Sequence, residues 1–506
     1  MTLLEADIEK VAPLYVRARA RRDFAFYCEY VHDRPLYPHQ LVWAQEVDKP
    51  MARTLIVAPP GSYKSTLCAY YVEWRIGRDP DFTVLYIMNT ASQAMRQVMA
   101  MADTIEHNPR YHEVFPRVQA DKGRGWSHDT LFIKRPDSNN PYATIYGTGI
   151  DGPYQGVHVD AIILDDPSDM QDIASGATML QQRQRVKGVL LDRLNPGGSI
   201  FAILTRWGIT DLTVELQQIG LKMIENPAEG KYPWGNLLCP ELFSVEELAS
   251  LKKSKGEGLY AMTYMCNPSI LARQISYFDV DAMTAMLDDV REPMEILRGL
   301  ISIWRKPVVA GKYILGADTA WGVTGSYSCA AVTDWATGEQ LAELHGRPHR
   351  DEMAQECFNL HKMYNHAYMG LERAGEGQER DGESVVVVDK VVELLMGCDC
   401  RGQLFYHDHD KPKPVVAGWQ TDARSRPVML GELAEAVRNR QIVIHSRQGV
   451  EEMMGFVRNE KGRPEASEGA YDDRVMAYAV AWQMRKWAKF TNMAPYEGSP
   501  ISMRAF

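Results

Sequence analysis

Through its first half the chain alternates short apolar runs with helix-like stretches, and this alternation limits the folds open to it. The runs are "TLIVAPP", "FTVLYIMNT", "ATIYGTG", "AIILDDP" and "SIFAILTRW". Apolar strands separated by helices are typical of a parallel sheet with helices on both faces. We therefore predict an α/β domain in this half, with a weaker pattern after Thr205.

A second sheet is predicted from "KYILGADTAWG", "YSCAAVTDW" and "GEQLAELHGR", whose glycine-containing turns favour an antiparallel meander. A helix ("EMAQECFNLHKMYN"), a strand ("AYMGLERAG") and a late helix ("DDRVMAYAVAWQMRKW") follow. At 506 residues the chain needs more than one core. We predict a first domain over 1–269 with a subdomain after about 208, a link over 270–308, a second domain over 309–488 and a loosely ordered tail over 489–506.

Composition excludes several classes of protein. A net charge of -10 argues against a wholly basic surface, although it does not speak to a local groove. No uncharged apolar run approaches the roughly 18 residues that span a bilayer, and the start lacks a signal pattern, so we expect a soluble cytoplasmic protein without a membrane partner. Cys398 and Cys400 lack a second pair at zinc spacing, which favours reduced thiols over a structural zinc. "HDHDKPKP", from His407 to Pro414, is interpreted as a polar loop rather than a ligand set.

The segment "APPGSYKST" follows the first apolar run and opens a helix. In the phosphate-loop pattern G-x-x-x-x-G-K-[ST], Lys64 and Ser65 take the last two positions, whereas Ala58 and Tyr63 stand where glycines are usual. A strand, a turn and a helix beginning Lys-Ser form a geometry in which backbone N–H groups and the helix dipole hold phosphates. Taken alone, the segment leaves open a Pro-Gly turn before a helix that merely begins Lys-Ser.

A later strand favours the phosphate-loop interpretation. "AIILDDP" ends in Asp165 and Asp166, which suit a nucleotide-bound Mg²⁺ and the orientation of an attacking water. Gln40 precedes the loop at a position from which it could read adenine, and Thr205 ends a strand where it could sense hydrolysis. We therefore predict that ATP and Mg²⁺ are bound by the loop residues Pro60, Gly61, Ser62, Tyr63, Lys64, Ser65 and Thr66.

Carboxylates in the second half form another predicted site. Asp318 lies on a first strand, Glu372 on a later strand, and Asp472 and Asp473 begin a helix. Acidic residues that converge from separate elements are what two Mg²⁺ or Mn²⁺ ions, about 3.5 to 4 Å apart, require for phosphodiester cleavage. The acidic residues occur in the order strand Asp, strand Glu, helix Asp, within a β-meander that is followed by helices and strands. This order indicates a metal-dependent nuclease.

Taken together, the motifs "YPHQ", "APPGSYKST", "AIILDDP", "LTRWGITDL", "LGADTAWG", "GLERAG" and "YDDRVMAYAVAW" resemble the large terminase subunit of tailed double-stranded DNA bacteriophages. The resemblance extends from about Tyr37 to Trp487. It implies an N-terminal ASCE-type P-loop ATPase and a C-terminal nuclease of RNase H-like fold. ATP hydrolysis would drive translocation of duplex DNA into the procapsid, and the nuclease would cut concatemers into genome units.

The resemblance also implies roles for particular residues. Lys64 and Ser65 would bind triphosphate and Mg²⁺, and Asp165 would be the Walker B aspartate. Thr205 would couple hydrolysis to movement, and Gln40 would read adenine. In the second half, the nuclease metals would be held by Asp318, Glu372 and one or both of Asp472 and Asp473.

Three departures from the family pattern bear on these roles. Tyr63 replaces the last glycine of the loop and is expected to crowd the phosphates, although Gly61 could supply the turn. Asp166 stands where a glutamate is usual, and we assign it the orientation of water. Because the loop lacks an arginine, a catalytic arginine must come from elsewhere; the candidates are Arg124, Arg193 and Arg206.

Partners follow from the resemblance alone. They are double-stranded DNA, a small terminase subunit, the portal protein of the procapsid and further copies of the chain in a pentameric ring. The implied location is the host cell cytoplasm, docked on the procapsid during packaging and absent from the mature virion. Two alternatives remain open: a helicase or DNA-repair ATPase with an inactive RNase H-like appendage, and a DNA-binding assembly scaffold whose sites have decayed.

Overall fold

The structure, a computed structural model, contains two units, Met1–Gln274 and Ile275–Phe506. It describes residues 3–136, 139–154, 156–174, 176–319, 327–374, 382–398, 403–407, 416–459, 462–467, 470–488 and 490. Within these ranges no helix is long and apolar enough to cross a membrane.

The first unit alternates strands and helices as the sequence predicts. Its strands are β1 (Arg53–Val57), β2 (Val84–Met88), β3 (Thr130–Leu131), β4 (Ile145–Gly149), β5 (Val159–Asp165), β6 (Leu194–Leu204), β7 (Lys222–Glu225), β8 (Glu229–Tyr232) and β9 (Gly235–Leu237). Its α-helices are α1 (Leu3–Arg22), α2 (Phe24–His32), α3 (Pro38–Val47), α4 (Lys64–Arg78), α5 (Ala91–His107), α6 (Pro109–Val114), α7 (Met170–Ala174), α8 (Gly176–Arg185), α9 (Leu212–Gln218), α10 (Val245–Lys255) and α11 (Glu257–Thr263). Helix α12 (Ser269–Ile275) ends one residue past the boundary.

Seven of the described strands of the first unit form a sheet in the order β3-β4-β2-β5-β6-β1-β7, and β8 and β9 pair separately. All neighbours pair in parallel except β3 and β4, which are antiparallel. The carboxyl ends of β1, β5 and β6 therefore meet at one edge of the sheet. This edge carries the loop, the paired aspartates and Thr205.

Both faces of this sheet are buried, which explains the nearly continuous apolar runs. Successive side chains point to opposite faces, so Leu55 and Val57 pack into one core and Ile56 into another. The same alternation places Leu164 with Leu55 and Ile163 with Ile56. The two cores hold the carboxyl edge in place from both sides.

The second unit contains a mixed sheet. Its strands are β10 (Glu295–Leu297), β11 (Ile301–Ile303), β12 (Tyr313–Asp318), β13 (Ser328–Asp334), β14 (Gln340–Gly346), β15 (Tyr368–Ala374), β16 (Tyr406–His407), β17 (Val416–Ala417), β18 (Trp419–Thr421), β19 (Phe456–Arg458) and β20 (Pro464–Ala466). Its helices are α13 (Val280–Asp288), α14 (Arg350–Met363), α15 (Gly382–Met396), α16 (Ser425–Arg438), α17 (Arg447–Met454) and α18 (Asp473–Met484). The described sheet has the order β10-β11-β14-β13-β12-β15-β18.

The predicted meander is confirmed, since β12, β13 and β14 pair antiparallel in sequence order. Strand β15 then pairs in parallel with β12, on the other side from β13. Helix α18 packs across β12, and its backbone approaches so closely that a Cβ on Gly316 would lie 2.2 Å from the amide nitrogen of Ala481. The predicted class, two α/β units of which the first has a mainly parallel sheet, is confirmed.

The stretch predicted as a link, 270–308, is instead mostly part of the second unit. It contains α13, β10 and β11, and β11 pairs antiparallel with β14. The second sheet therefore begins before residue 309. Of the predicted tail, only Phe490 is among the described residues.

Candidate active sites

The loop between β1 and α4 turns through two residues with left-handed backbones. Gly61 and Tyr63 both have left-handed backbones, with φ of 80° and 56°. This conformation costs a residue other than glycine about 1–2 kcal/mol. Tyr63 therefore occupies the position of the usual glycine by accepting strain rather than by changing the turn.

The Tyr63 side chain is held from two sides. Its ring stacks on that of Tyr37 with centroids 5.9 Å apart and an 11° angle between planes. The guanidinium carbon of Arg34 lies 4.2 Å from the centre of the Tyr63 ring. Aromatic and cation–π contacts of this kind contribute about 0.5–1.5 kcal/mol each, enough to offset much of the backbone strain.

Gln40 joins α3 to the loop. Its Oε1 accepts the backbone N–H of Tyr37 at 3.1 Å, and its Nε2 donates to the carbonyl of Tyr63 at 3.3 Å. The predicted adenine reader thus lies beside the loop with both ends of its amide engaged in the protein. Its role towards adenine stays a prediction.

The strain at Tyr63 predicts an unusual order of stability in two variants. Tyr63→Gly and Tyr63→Ala both lose the ring contacts, but only glycine accepts φ of 56° without a Cβ penalty. We expect Tyr63→Gly to be more stable than Tyr63→Ala by about 1 kcal/mol, or about 2 °C in Tm for a unit of this size. Thermal unfolding of the two variants checks this order. An alanine variant as stable as the glycine variant would contradict the left-handed loop.

Lys64 is buried at the start of α4, with its ammonium turned into the loop. Nζ donates to the carbonyls of Ala58 at 2.8 Å and Pro59 at 3.3 Å, and to Oγ1 of Thr205 at 2.8 Å. Oδ2 of Asp166 lies 3.7 Å from the ammonium. The cation is thus placed between the end of β1, the loop and the ends of β5 and β6.

Asp165 lies fully buried at the end of β5. Its carboxylate accepts from Oγ of Ser65 at 2.7 Å and from the hydroxyl of Tyr86 at 2.6 Å. Burial raises the pKa of Asp165 to about 6, and the charge of Asp166 adds to the rise. A buried carboxylate next to a helix-start hydroxyl is a donor set that suits Mg²⁺, since both are the hard oxygen ligands this ion prefers.

Asp166 connects the two strand ends. Its backbone is left-handed, with φ of 41°, and its Oδ1 accepts the backbone N–H of Thr205 at 2.8 Å. Its other oxygen faces Lys64. The predicted residues Lys64, Asp166 and Thr205 are therefore brought together, with Ser65 and Asp165 beside them.

The remaining loop residues shape the turn. Ser62 is buried, and its hydroxyl donates to the carbonyl of Pro59 at 2.8 Å. His39 reaches the Ser62 carbonyl at 3.2 Å. Thr66 lies in the first turn of α4 and is partly exposed.

The three arginine candidates occupy different surroundings. Arg206 follows Thr205 directly, is mostly buried and lies 3.3 Å from Asp211. Arg193 donates to the carbonyl of Val189, and Arg124 is exposed and donates to the carbonyl of Asn140. Of the three arginines, only Arg206 is next in sequence to a residue that contacts Lys64, namely Thr205.

In the second unit, β12 and β15 bring Asp318 and Glu372 together. Ala317 pairs with Leu371 across the two parallel strands, so the next residue of each strand is the acidic one. The two acidic residues therefore lie side by side on these neighbouring strands. Burial raises the pKa of Glu372, although the charge of Arg426 opposes the rise.

Asp472 and Asp473 lie at the start of α18. Oδ2 of Asp472 accepts from Arg426 at 2.8 Å. Asp473 is 4% exposed, and its Oδ2 has no hydrogen-bond partner among the described residues. Burial raises the pKa of Asp473 to about 7, and Asp472 adds to the rise. A buried oxygen without a partner beside other carboxylates is compatible with a divalent metal ligand.

A complete ligand set is not assembled in the described residues. Among them, no group of three or more His, Cys, Asp or Glu side chains stands close enough to hold a metal ion. Metal ligation by Asp318, Glu372, Asp472 and Asp473 therefore stays a prediction. Of "HDHDKPKP", only His407 is described, and Cys400 also lies outside the described ranges, whereas Cys398 is exposed and its thiol donates to the carbonyl of Leu395 at 3.6 Å.

Sequence reasoning missed several polar residues at these sites. Tyr86 donates to Asp165 from within an apolar strand, where its hydroxyl is the sole polar side-chain group of β2. Arg474 on α18 lies between Glu343 of β14 and Glu452 of α17. The sequence offers one sign of the role of Arg474: it directly follows the paired aspartates in a helix that is otherwise mostly apolar.

Neither a protein-family model nor a curated protein matches the chain. Among solved structures, the chain is similar to the large terminase of bacteriophage HK97, with 11% identity, 88% of this chain and 95% of that chain covered, and a TM-score of 0.39. It is similar to the large terminase of a thermophilic bacteriophage in complex with ADP, with 12% identity, 88% and 98% covered, and a TM-score of 0.30. It is also similar to the large terminase nuclease of the thermophilic phage G20c with bound magnesium, with 20% identity, 40% and 96% covered, and a TM-score of 0.30. These proteins are large terminases, the family that the motifs of this chain resemble.

Proposed function

We propose that this chain is the large subunit of a phage terminase, a DNA-packaging motor with an ATPase unit and a nuclease unit. The observation that carries the proposal is the convergence of Lys64, Asp166 and Thr205, from the loop and two neighbouring strands, beside the bonded pair Ser65 and Asp165. A buried cation facing two carboxylates and a hydroxyl at the carboxyl edge of a parallel sheet is suited to phosphoryl transfer.

In the ATPase unit, Lys64 would bind the β- and γ-phosphates, and Ser65 and Asp165 would hold Mg²⁺. The metal, when bound, neutralises charge on the phosphates. Asp166 orients the attacking water with the oxygen that faces Lys64, while its other oxygen holds the backbone of Thr205. Loss of the γ-phosphate would change the partners of Lys64, and Thr205 is bonded to Lys64 directly. Thr205 is therefore placed to couple hydrolysis to movement of DNA into the procapsid.

Asp166→Ala is expected to lower ATP turnover by roughly 100-fold or more while ATP binding persists. The reason is that the carboxylate that acts on water is lost, an effect of about 10²–10⁴-fold, whereas the Lys64 ammonium that would bind the phosphates is retained. Turnover measured by phosphate release and binding measured with a fluorescent ATP analogue separate the two effects. Normal turnover by the variant would contradict the role of Asp166.

In the nuclease unit, we propose that Asp318, Glu372, Asp472 and Asp473 hold divalent metals, Mg²⁺ or Mn²⁺, for cutting concatemeric DNA. These carboxylates would hold the metals where they could supply Lewis-acid polarisation of the phosphodiester and activation of water. The side chains of this chain supply charge at three element ends and a buried unpartnered oxygen on Asp473. Arg426, which pairs with Asp472, would balance the excess negative charge.

The partners and location are proposed on the same basis. The partners are double-stranded DNA, a small terminase subunit, the portal protein and further copies of this chain in a pentameric ring. The location is the host cytoplasm, with the protein docked on the procapsid. A ring would allow one copy to supply the catalytic arginine to the next, as in other phosphoryl-transfer enzymes. The test of the whole proposal is ATP hydrolysis and metal-dependent plasmid cutting by one purified protein; absence of both would overturn it.

A further inference from the structure

Helix α18 begins in an unusual way. Asp472 occupies the N-cap position, but its side chain makes no capping hydrogen bond. The backbone N–H of Arg474, one of the first N–H groups that a helix leaves without an internal partner, donates instead to Oε2 of Glu452 at 3.0 Å. A carboxylate from α17 thus performs the task that usually falls to the N-cap side chain.

The consequence for Asp472 is that its carboxylate is not turned back onto its own helix. It faces Arg426 on α16, with 2.8 Å between Oδ2 and Nη2. An aspartate that capped α18 would have one oxygen committed to the helix backbone. Because Glu452 caps the helix, the Asp472 carboxylate faces α16, where one of its oxygens accepts from Arg426.

The same glutamate also fixes Arg474. The Arg474 guanidinium donates through Nη1 to Glu452 and through Nε to Glu343 at 2.8 Å. Glu343 is buried and accepts further hydrogen bonds from Gln340 and Tyr478. Although burial opposes ionisation, the charge of Arg474 holds the pKa of Glu343 below its ordinary value. Arg474 is thus clamped between α17 and β14, and Asp473 precedes it by one residue.

We propose that Glu452 is a positioning residue of the nuclease site: by capping α18 in place of Asp472 and clamping Arg474, it sets the positions of the carboxylates of Asp472 and Asp473. The inference rests on the proposed nuclease function. A purely structural role would change the stability of the unit alone, whereas a positioning role also changes its affinity for metal.

The test is a titration of the full-length protein with Mn²⁺ in the absence of nucleotide. Binding is measured from the electron paramagnetic resonance signal of the Mn²⁺ that remains free. Binding that is lost in Asp473→Ala defines the sites of the nuclease unit. Loss of a residue that orients a metal ligand typically weakens metal affinity about 10–100-fold. We expect Glu452→Ala to raise the half-saturating Mn²⁺ concentration by that factor.

Two further variants separate positioning from folding. Glu452→Gln keeps one oxygen that can accept the backbone N–H of Arg474 but turns an amide NH₂ towards the guanidinium, so we expect its half-saturating Mn²⁺ concentration to rise less than that of Glu452→Ala. Met453→Ala removes a fully buried neighbour on the same helix, and it should lower Tm while leaving Mn²⁺ binding unchanged.

The outcomes are distinct. Three results would overturn the inference about Glu452 but not the proposed nuclease site. They are unchanged Mn²⁺ binding in Glu452→Ala, equal losses of Mn²⁺ affinity in Glu452→Ala and Glu452→Gln, and a loss of Mn²⁺ affinity in Met453→Ala equal to that in Glu452→Ala. If Asp473→Ala binds as much Mn²⁺ as the wild type, the proposed nuclease site is wrong, and the inference about Glu452 is wrong with it.

Discussion

Lys64→Ala is expected to remove productive ATP binding and to lower ATP turnover at least about 100-fold, the effect typical of losing one preorganised charge-stabilising group. Lys64 is mostly buried, and its ammonium lies 2.8 Å from Thr205 and 3.7 Å from Asp166. Without this ammonium, the site would present the two aspartates at the strand end to an anionic ligand. Coulomb repulsion would then oppose the phosphates, so both binding and chemistry are affected.

The measurement is phosphate release as a function of ATP concentration, together with equilibrium binding of an ATP analogue. Metal-dependent plasmid cutting without ATP serves as the internal control, because its residues belong to the other unit. We expect cutting to persist in Lys64→Ala. If Lys64→Ala turned over ATP at the rate of the wild type, the loop between β1 and α4 would not be the nucleotide site.

Asp318→Ala is expected to abolish cutting of supercoiled plasmid with either Mg²⁺ or Mn²⁺. Asp318 ends strand β12 beside Glu372 of β15, so its removal takes a charge from the carboxylate group. Losing a residue that only supports a metal ligand costs about 10–100-fold in affinity or activity, and losing a ligand itself should cost more. ATP turnover should remain at the wild-type level.

A matched control for this variant is Asp334→Ala. Asp334 also ends a strand of the same sheet, but it pairs with Tyr313, at the opposite end of β12 from Asp318. Its side chain accepts backbone N–H groups of the following turn, so the control should lose some stability and keep its cutting activity. Cutting retained by Asp318→Ala would contradict the assigned site. No cutting by the wild type with either metal would favour an ATPase with an inactive appendage.

The sequence predicted most of the first unit because its signals are local. Each strand of a sheet buried on both faces is a short apolar run, and the residues that follow β1, β5 and β6 mark the carboxyl edge. Knowing that these strands are parallel is enough to bring Lys64, Asp165 and Thr205 to one edge. In the second unit, the parallel pairing of β12 and β15 joins Asp318 to Glu372 by the same logic.

The parts that sequence reasoning missed depend on contacts between distant residues. Strands β10 and β11 are three residues long each, too short for a periodic pattern, and β11 finds its partner β14 about forty residues later. They were therefore included in a predicted link. Glu452 reaches the start of α18 from another helix, and no spacing rule relates the two. The backbone conformation of Tyr63 could not be predicted for a different reason. A tyrosine in the sequence does not indicate a left-handed backbone, and the contacts of its ring with Tyr37 and Arg34 are visible only in the structure.

The hydrogen bonds of Lys64 have a further consequence for the timing of a motor cycle. The ammonium has three partners within the protein: the carbonyls of Ala58 and Pro59 and the hydroxyl of Thr205. An incoming phosphate must compete with these internal acceptors, so the loop acts as its own weak inhibitor and part of the binding energy goes into rearranging it. The same acceptors can recapture the lysine after hydrolysis. In the packaging motor proposed above, a site that restores its own contacts in this way would favour quick departure of ADP, and rapid emptying would suit repeated short steps along DNA.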